Sequence, residues 1–178
     1  MNVLGYQLRL VLTAIQYFTR LPVPRWVGYS DRQLNDASRY FPLVGILVGL
    51  FTGAVFLLAM RVFPQPIAVL LSMLAGVLLT GGFHEDGLAD VCDGFGGGRD
   101  RPQILAIMKD SRVGSYGVLG LSLALLLKFT ALTALPVVQF LAISAGAHAF
   151  SRFMAVSLIY TQRYVRDDDS ARAKPVAQ

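Results

Sequence analysis

Charge is scarce in this chain. Only 15% of its 178 residues are Asp, Glu, Lys or Arg, against about 25% in an ordinary soluble domain. That shortage excludes a conventional water-soluble globule. With 54% hydrophobic residues and a mean hydropathy of +0.55, it points to a membrane protein. Cysteine is nearly absent: Cys92 stands alone, so no internal disulfide is possible. No internal repeat and no low-complexity tract stands out. The N-terminal stretch does not read as a signal peptide, because Arg9 interrupts its apolar run and no small-residue cleavage site follows. The net charge of +5 calls for no nucleic acid partner, since basic residues flanking membrane spans give the same total.

Long apolar runs are what the chain has in quantity. Residues 2–20 read as a helix, apolar on most sides, that lies in the interface or dips into the bilayer. Pro22 and Pro24 stiffen the next segment, and Arg25 and Trp26 suit headgroup level. Ser30 is placed to cap a short helix over Asp31–Tyr40. Four spans are expected: Phe41–Met60, Pro66–Phe83, Gly114–Leu135 and Pro136–Tyr160. Gly45, Gly49 and Gly53 recur every four residues, either as a stripe for close helix approach or because glycine is common in such helices. The fold class is therefore all-α, a polytopic membrane helix bundle of about four spans plus an N-terminal interfacial or membrane helix, in a single integral-membrane domain.

Basic residues orient this bundle. Arg9, Arg20, Arg25, Arg32 and Arg39 precede the first span. Arg99, Arg101, Lys109 and Arg112 lie between the second and third, and Arg163, Arg166, Arg172 and Lys174 follow the fourth. Arg61 alone falls in a loop on the other side. The positive-inside rule puts the N-terminus, the 81–117 stretch and the tail in the cytoplasm.

That stretch carries the chemistry. Six of the eleven carboxylates fall in it: Glu85, Asp86, Asp90, Asp93, Asp100 and Asp110. On a helix, Asp86, Asp90 and Asp93 share one face, where their repulsion calls for a cation. Oxygen ligands of this kind suit Mg²⁺. A metal bridging diphosphate oxygens would serve phosphoryl-group transfer. Gly94, Gly96, Gly97 and Gly98 would let the backbone approach phosphates. Arg99, Arg101, Lys109 and Arg112 could clamp them, and His84 could move protons or steady a ligand. The alternative is a charged loop solvated at the membrane surface. Lys128 and Arg152 lie inside apolar spans, where a lone charge costs at least ~2.5 kcal/mol. Each either faces the bundle interior and meets an anion or snorkels to the surface. His148, one turn before Arg152, either lines a polar interior or takes part in catalysis. Glu85, about 100° around the helix from Asp86, is expected to be solvated.

GGFHEDGLADVCDGF (residues 81–95), followed by IMKDSRVGSYG (residues 107–117), closely resembles the cobalamin synthase family, the adenosylcobinamide-GDP ribazoletransferases. FTRLPVPRW and FPLVGILVG near the N-terminus resemble it too. The pattern H-x-D-G-x-A-D-x-x-D-G, from His84 to Gly94, is specific, and the resemblance covers nearly the whole chain. It implies an enzyme of the bacterial cytoplasmic (inner) membrane, multi-pass, with its active site facing the cytoplasm over residues 84–113. The implied reaction uses Mg²⁺. It joins adenosylcobinamide-GDP to α-ribazole, or to its 5′-phosphate, and releases GMP. The carried-over roles make Asp86, Asp90 and Asp93 metal ligands, with one of them or His84 helping to deprotonate the attacking hydroxyl. Lys109 and Arg112 match a second motif and become diphosphate contacts. Arg99, Lys128 and Arg152 complete the substrate-binding set. Members of that family continue further, so this chain is expected to lack their C-terminal helices. An oligomer is compatible with all of this.

Three other functions compete. Asp90-x-x-Asp93-Gly94 is similar to the opening of the CDP-alcohol phosphotransferase signature, but no Ala-Arg pair and no later paired aspartates follow. That enzyme would turn over a CDP-activated lipid precursor. A divalent-cation transporter would carry metal across proteoliposomes without nucleotide and leaves Lys109 and Arg112 unexplained. A non-catalytic remnant would show no turnover at all.

Overall fold

A computed structural model describes residues 3–162. The basic tail residues Arg163, Arg166, Arg172 and Lys174, used above for orientation, and Asp167–Asp169 lie outside the described residues. The described elements are helical. In order they are α1 (Val3–Phe18), α2 (Asp31–Ala37), α3 (Phe41–Ala59), α4 (Gln65–Thr80), α5 (Phe83–Gly97), α6 (Arg101–Ile107), α7 (Ser115–Thr133) and α8 (Val137–Thr161).

α1 has 16 residues, short of the ~20 that a span requires. It packs on α2 and the start of α3 through Leu10, Ala14, Phe18, Leu34, Phe41 and Val44. Polar contacts tie the same corner together: the Tyr6 hydroxyl donates to Asp36 at 2.6 Å, and Arg9 Nε donates to the Val27 carbonyl at 2.6 Å. This mixture of a packed apolar side and paired polar groups makes α1 and α2 a cap over one end of α3. Ser30 caps α2 as its position predicts, its hydroxyl accepting from the Gln33 amide at 3.2 Å. A short 3-10 helix, Ser38–Tyr40, then leads directly into α3.

Three stretches are long and apolar enough to cross a membrane: Asp31–Ala59, α7 and α8. The expected second span is divided. α4 and α5 pass the same test only together, as a pair bent by 89°.

α3 and α8 form the central pair, and the glycine stripe of α3 is their contact. A Cβ at Gly49 would lie 2.5 Å from the Ser144 carbonyl oxygen and from Ala145 Cα, and one at Gly45 would collide with the His148 carbonyl. Small residues thus let two backbones meet, which is how helices associate where water supplies no hydrophobic drive. Hydroxyls bridge the contact: Thr52 Oγ1 lies 3.0 Å from Ser144 Oγ, and Ser72 of α4 donates to the Thr52 carbonyl at 2.8 Å. Phe56 stacks on Phe140 at 3.6 Å and, with Ala68 and Val69, fills the far end of the core. α7 packs on α4 and α5, and α6 on α5. The outward faces of α7 and α8 present Leu119, Leu123, Leu127, Val138 and Phe150 to the surroundings, as lipid contact requires.

Candidate active site

The bend between α4 and α5 builds the site. Gly81 and Gly82 have φ of +70° and +72°, the left-handed region that only glycine enters at no steric cost. Gly81 ends α4 and Gly82 donates to the Val77 carbonyl at 3.0 Å, closing the helix end. The Gly82 carbonyl then accepts from the Asp86 amide at 2.8 Å, and α5 begins. Arg20 braces the turn: its amide donates to the Leu79 carbonyl at 2.8 Å, and its guanidinium packs against Gly81. α5 thus sets off at right angles to the membrane helix before it, with Glu85 and Asp86 in its first turn, where the helix dipole favours negative charge.

Two cavities flank the bend, and Thr80 and Glu85 line both. The outer one, about 590 Å³, also holds Asp86, Arg20 and Tyr17. The inner one, about 300 Å³, lies among α4, α5, α7 and α8 and gathers His84, Lys128, His148 and Arg152. Arg152 is buried, 3% exposed, and its Nη1 donates to the His148 carbonyl at 3.1 Å. Its guanidinium lies 5.4 Å from the Phe18 ring, on which His84 stacks at 5.7 Å. Arg152 therefore faces the interior and does not snorkel. Lys128 is exposed as a whole, yet its side chain lines the inner cavity. Glu85 was expected in solvent. Instead its Oε2 is buried at the junction of the two cavities.

Asp93 has a different setting from Asp86. It is 8% exposed, and its two oxygens accept from the Gly114 amide at 2.7 Å and the Gly117 amide at 2.8 Å. Those amides open α7, so Asp93 caps a neighbouring helix. Any Cβ at Gly114 or Gly117 would collide with its carboxylate. Asp86 is exposed and Asp90 half-buried on the same helix. Among the described residues no group of three or more His, Cys, Asp or Glu comes together as a metal-holding cluster. Asp93, the third of the expected carboxylates, is engaged with the first amides of α7 in this structure.

The chain matches the cobalamin-5-phosphate synthase family over residues 10–178. It is 54% identical to the adenosylcobinamide-GDP ribazoletransferase of Shewanella frigidimarina over 176 residues, 97% of this chain and 67% of the relative. It is 53% identical to the protein of the same name from Shewanella amazonensis over 181 residues, 100% of this chain and 70% of the relative. The chain belongs to the cobalamin-5-phosphate synthase family. It spans about two thirds of the length of these relatives. No solved structure matches it.

In this member of the cobalamin-5-phosphate synthase family, the basic residues around α6 line neither cavity. Arg99, Lys109 and Arg112 are exposed. Arg112 forks Asp110 at 2.7–3.1 Å, and those hydrogen bonds hold the Asp110 carboxyl down at about 2. Gly94, Gly96 and Gly97 are helical and serve packing: a Cβ at Gly94 would lie 2.6 Å from Met108, and one at Gly96 would enter the Tyr116 ring. They do not form a phosphate loop. Cys92 packs against Gly120 of α7. Sequence reasoning missed Glu85 and Arg20 as site residues. Glu85 had a signal in its closeness to the Gly81–Gly82 turn; Arg20, far earlier in the chain, had none.

Proposed function

We propose that this chain transfers the cobinamide phosphate of adenosylcobinamide-GDP to α-ribazole or α-ribazole 5′-phosphate, giving adenosylcobalamin or its 5′-phosphate and GMP. The observation that carries this is the right-angled Gly81–Gly82 bend, which sets Asp86 in one cavity and Glu85 at its border with a second. Two substrates must meet at one phosphorus, and two adjoining cavities with acidic groups between them suit that need. Family membership and the relatives' shared activity name the substrates.

The ribazole hydroxyl attacks the phosphorus bonded to cobinamide. An O–P bond forms, the bond from that phosphorus to the GMP oxygen breaks, and GMP departs with the electron pair. Asp86, Asp90 or His84 takes the hydroxyl proton. Mg²⁺ needs only one or two protein carboxylates when phosphate oxygens and water complete its shell. Asp86 and Asp90, one turn apart on α5, fit that requirement, and Asp93 holds α5 against α7. Bound there, Mg²⁺ would offset charge on the diphosphate. Arg99, Lys109 and Arg112 supply cations to the nucleotide, Arg112 exchanging Asp110 for phosphate. The reaction takes place at the cytoplasmic face of the bacterial inner membrane.

The test is formation of cobalamin and GMP by the chain in lipid, with and without Mg²⁺. Asp86→Asn is expected to lower kcat about 100-fold or more. Failure to form product with Mg²⁺ would overturn the assignment, and a wild-type rate in both Asp86→Asn and Asp90→Asn would overturn their role as metal ligands.

A further inference from the structure

The inner cavity contains two polar atoms that nothing in the protein satisfies. Arg152 Nε is buried and donates to no acceptor, although the same guanidinium reaches His148 through Nη1. Glu85 Oε2 is buried and accepts from no donor. Both residues line the same space. Leaving a buried polar group unmet is costly, and more so when the group is charged. A single ligand offering both an acceptor and a donor would relieve the two at once.

Charge and size narrow that ligand. Two cations, Lys128 of α7 and Arg152 of α8, face one carboxylate, so the cavity favours an anion. The hydroxyl of Ser151 adds a donor that a phosphate oxygen accepts. Phe140 and Met73 supply an apolar wall for a flat ring. A volume of about 300 Å³ is at the small end for a ligand site and suits a nucleoside-sized molecule. A corrinoid nucleotide is several times too large.

We propose that the inner cavity binds the acceptor substrate as a nucleoside phosphate monoester. Its phosphate lies on Arg152 and Lys128, and a sugar hydroxyl donates to Glu85. The larger donor substrate occupies the outer cavity beside Asp86, so the two meet at Glu85. This assignment rests on the transferase reaction proposed above and says which substrate enters where.

The test separates the two. Thermal stabilisation of the full chain in detergent is measured with α-ribazole 5′-phosphate, with α-ribazole and with inorganic phosphate, in the absence of corrinoid. The phosphorylated form is expected to bind at least tenfold more tightly than α-ribazole, and inorganic phosphate is expected to compete with it. Lys128→Met should abolish most of that difference, while Asp86→Asn should preserve it. Equal affinities for the two forms, or an undiminished difference in Lys128→Met, would overturn the site. So would stabilisation by phosphatidylglycerol vesicles alone with none from the nucleotide, which would assign the cations to a lipid headgroup. Binding as expected without turnover of adenosylcobinamide-GDP would support the site and sink the reaction. Turnover with an unchanged preference between acceptors in Lys128→Met would do the reverse.

Discussion

A carboxylate that accepts two main-chain amides has much of its charge already answered. Asp93 is in that position, with both oxygens on the first amides of α7, and Asp86 is not. The same residue type on the same helix therefore does two jobs. Asp93→Ala would strip the α7 N-terminus of its cap and leave two donors unmet, at a cost of about 2 kcal/mol. The expected result is a clearly lower melting temperature in detergent, with Asp93→Asn losing less because its amide oxygen still accepts one bond. Asp86→Asn, at an exposed position, should melt like the wild type while losing activity. An unaltered melting curve for Asp93→Ala would show that the carboxylate does not hold α7, and would return it to the candidate metal ligands.

The α3–α8 pair allows a sharper test, because two glycines on the two helices differ in surroundings. At Gly49 the obstacle is backbone of α8, which cannot rotate away, so the helices would have to part. Gly49→Leu is expected to cost about 1–3 kcal/mol or more through overpacking, read as a lower melting temperature or loss of folded protein. At Gly146 of α8 an added methyl group would meet nothing within 4 Å, and Gly146→Ala should be tolerated. Equal behaviour of the two variants would refute the close contact. Three of the expected spans and the Ser30 cap were legible in the sequence because each is a local pattern; the glycine spacing was visible too, but its role stayed open because the helix it meets is distant in the chain. The 89° bend was not legible: Gly81–Gly82 reads as the end of a span, and its direction depends on Arg20 and on the α1 rings of Tyr17 and Phe18 that Phe83 packs against, all distant in the chain. Glu85 was misjudged for the same reason. Its angle around α5 was correct, but the cavity it meets is built by α4, α7 and α8. The run Gly94–Gly98 carries no periodicity that tells a phosphate loop from a helix pressed against Met108 and Tyr116.

At the scale of the whole molecule, the division of charge and the division of polar chemistry coincide. Arg20, Arg99, Lys109 and Arg112 gather with α5 and α6 at one end of the spans, and Arg61 lies at the other, in the short link between α3 and α4. Positive charge is retained on the cytoplasmic side, which is where nucleotide and Mg²⁺ are supplied. Orientation is thus a condition of the proposed reaction, and it is measurable without any substrate. In a Cys92→Ser background, Val62→Cys and Ser111→Cys each place one thiol at an exposed position outside the spans. On intact cells a membrane-impermeant maleimide is expected to label Val62→Cys, and to reach Ser111→Cys only after permeabilisation. The opposite pattern would turn α5 and its carboxylates away from the cytoplasm, and a nucleotide-consuming transferase would no longer fit the protein.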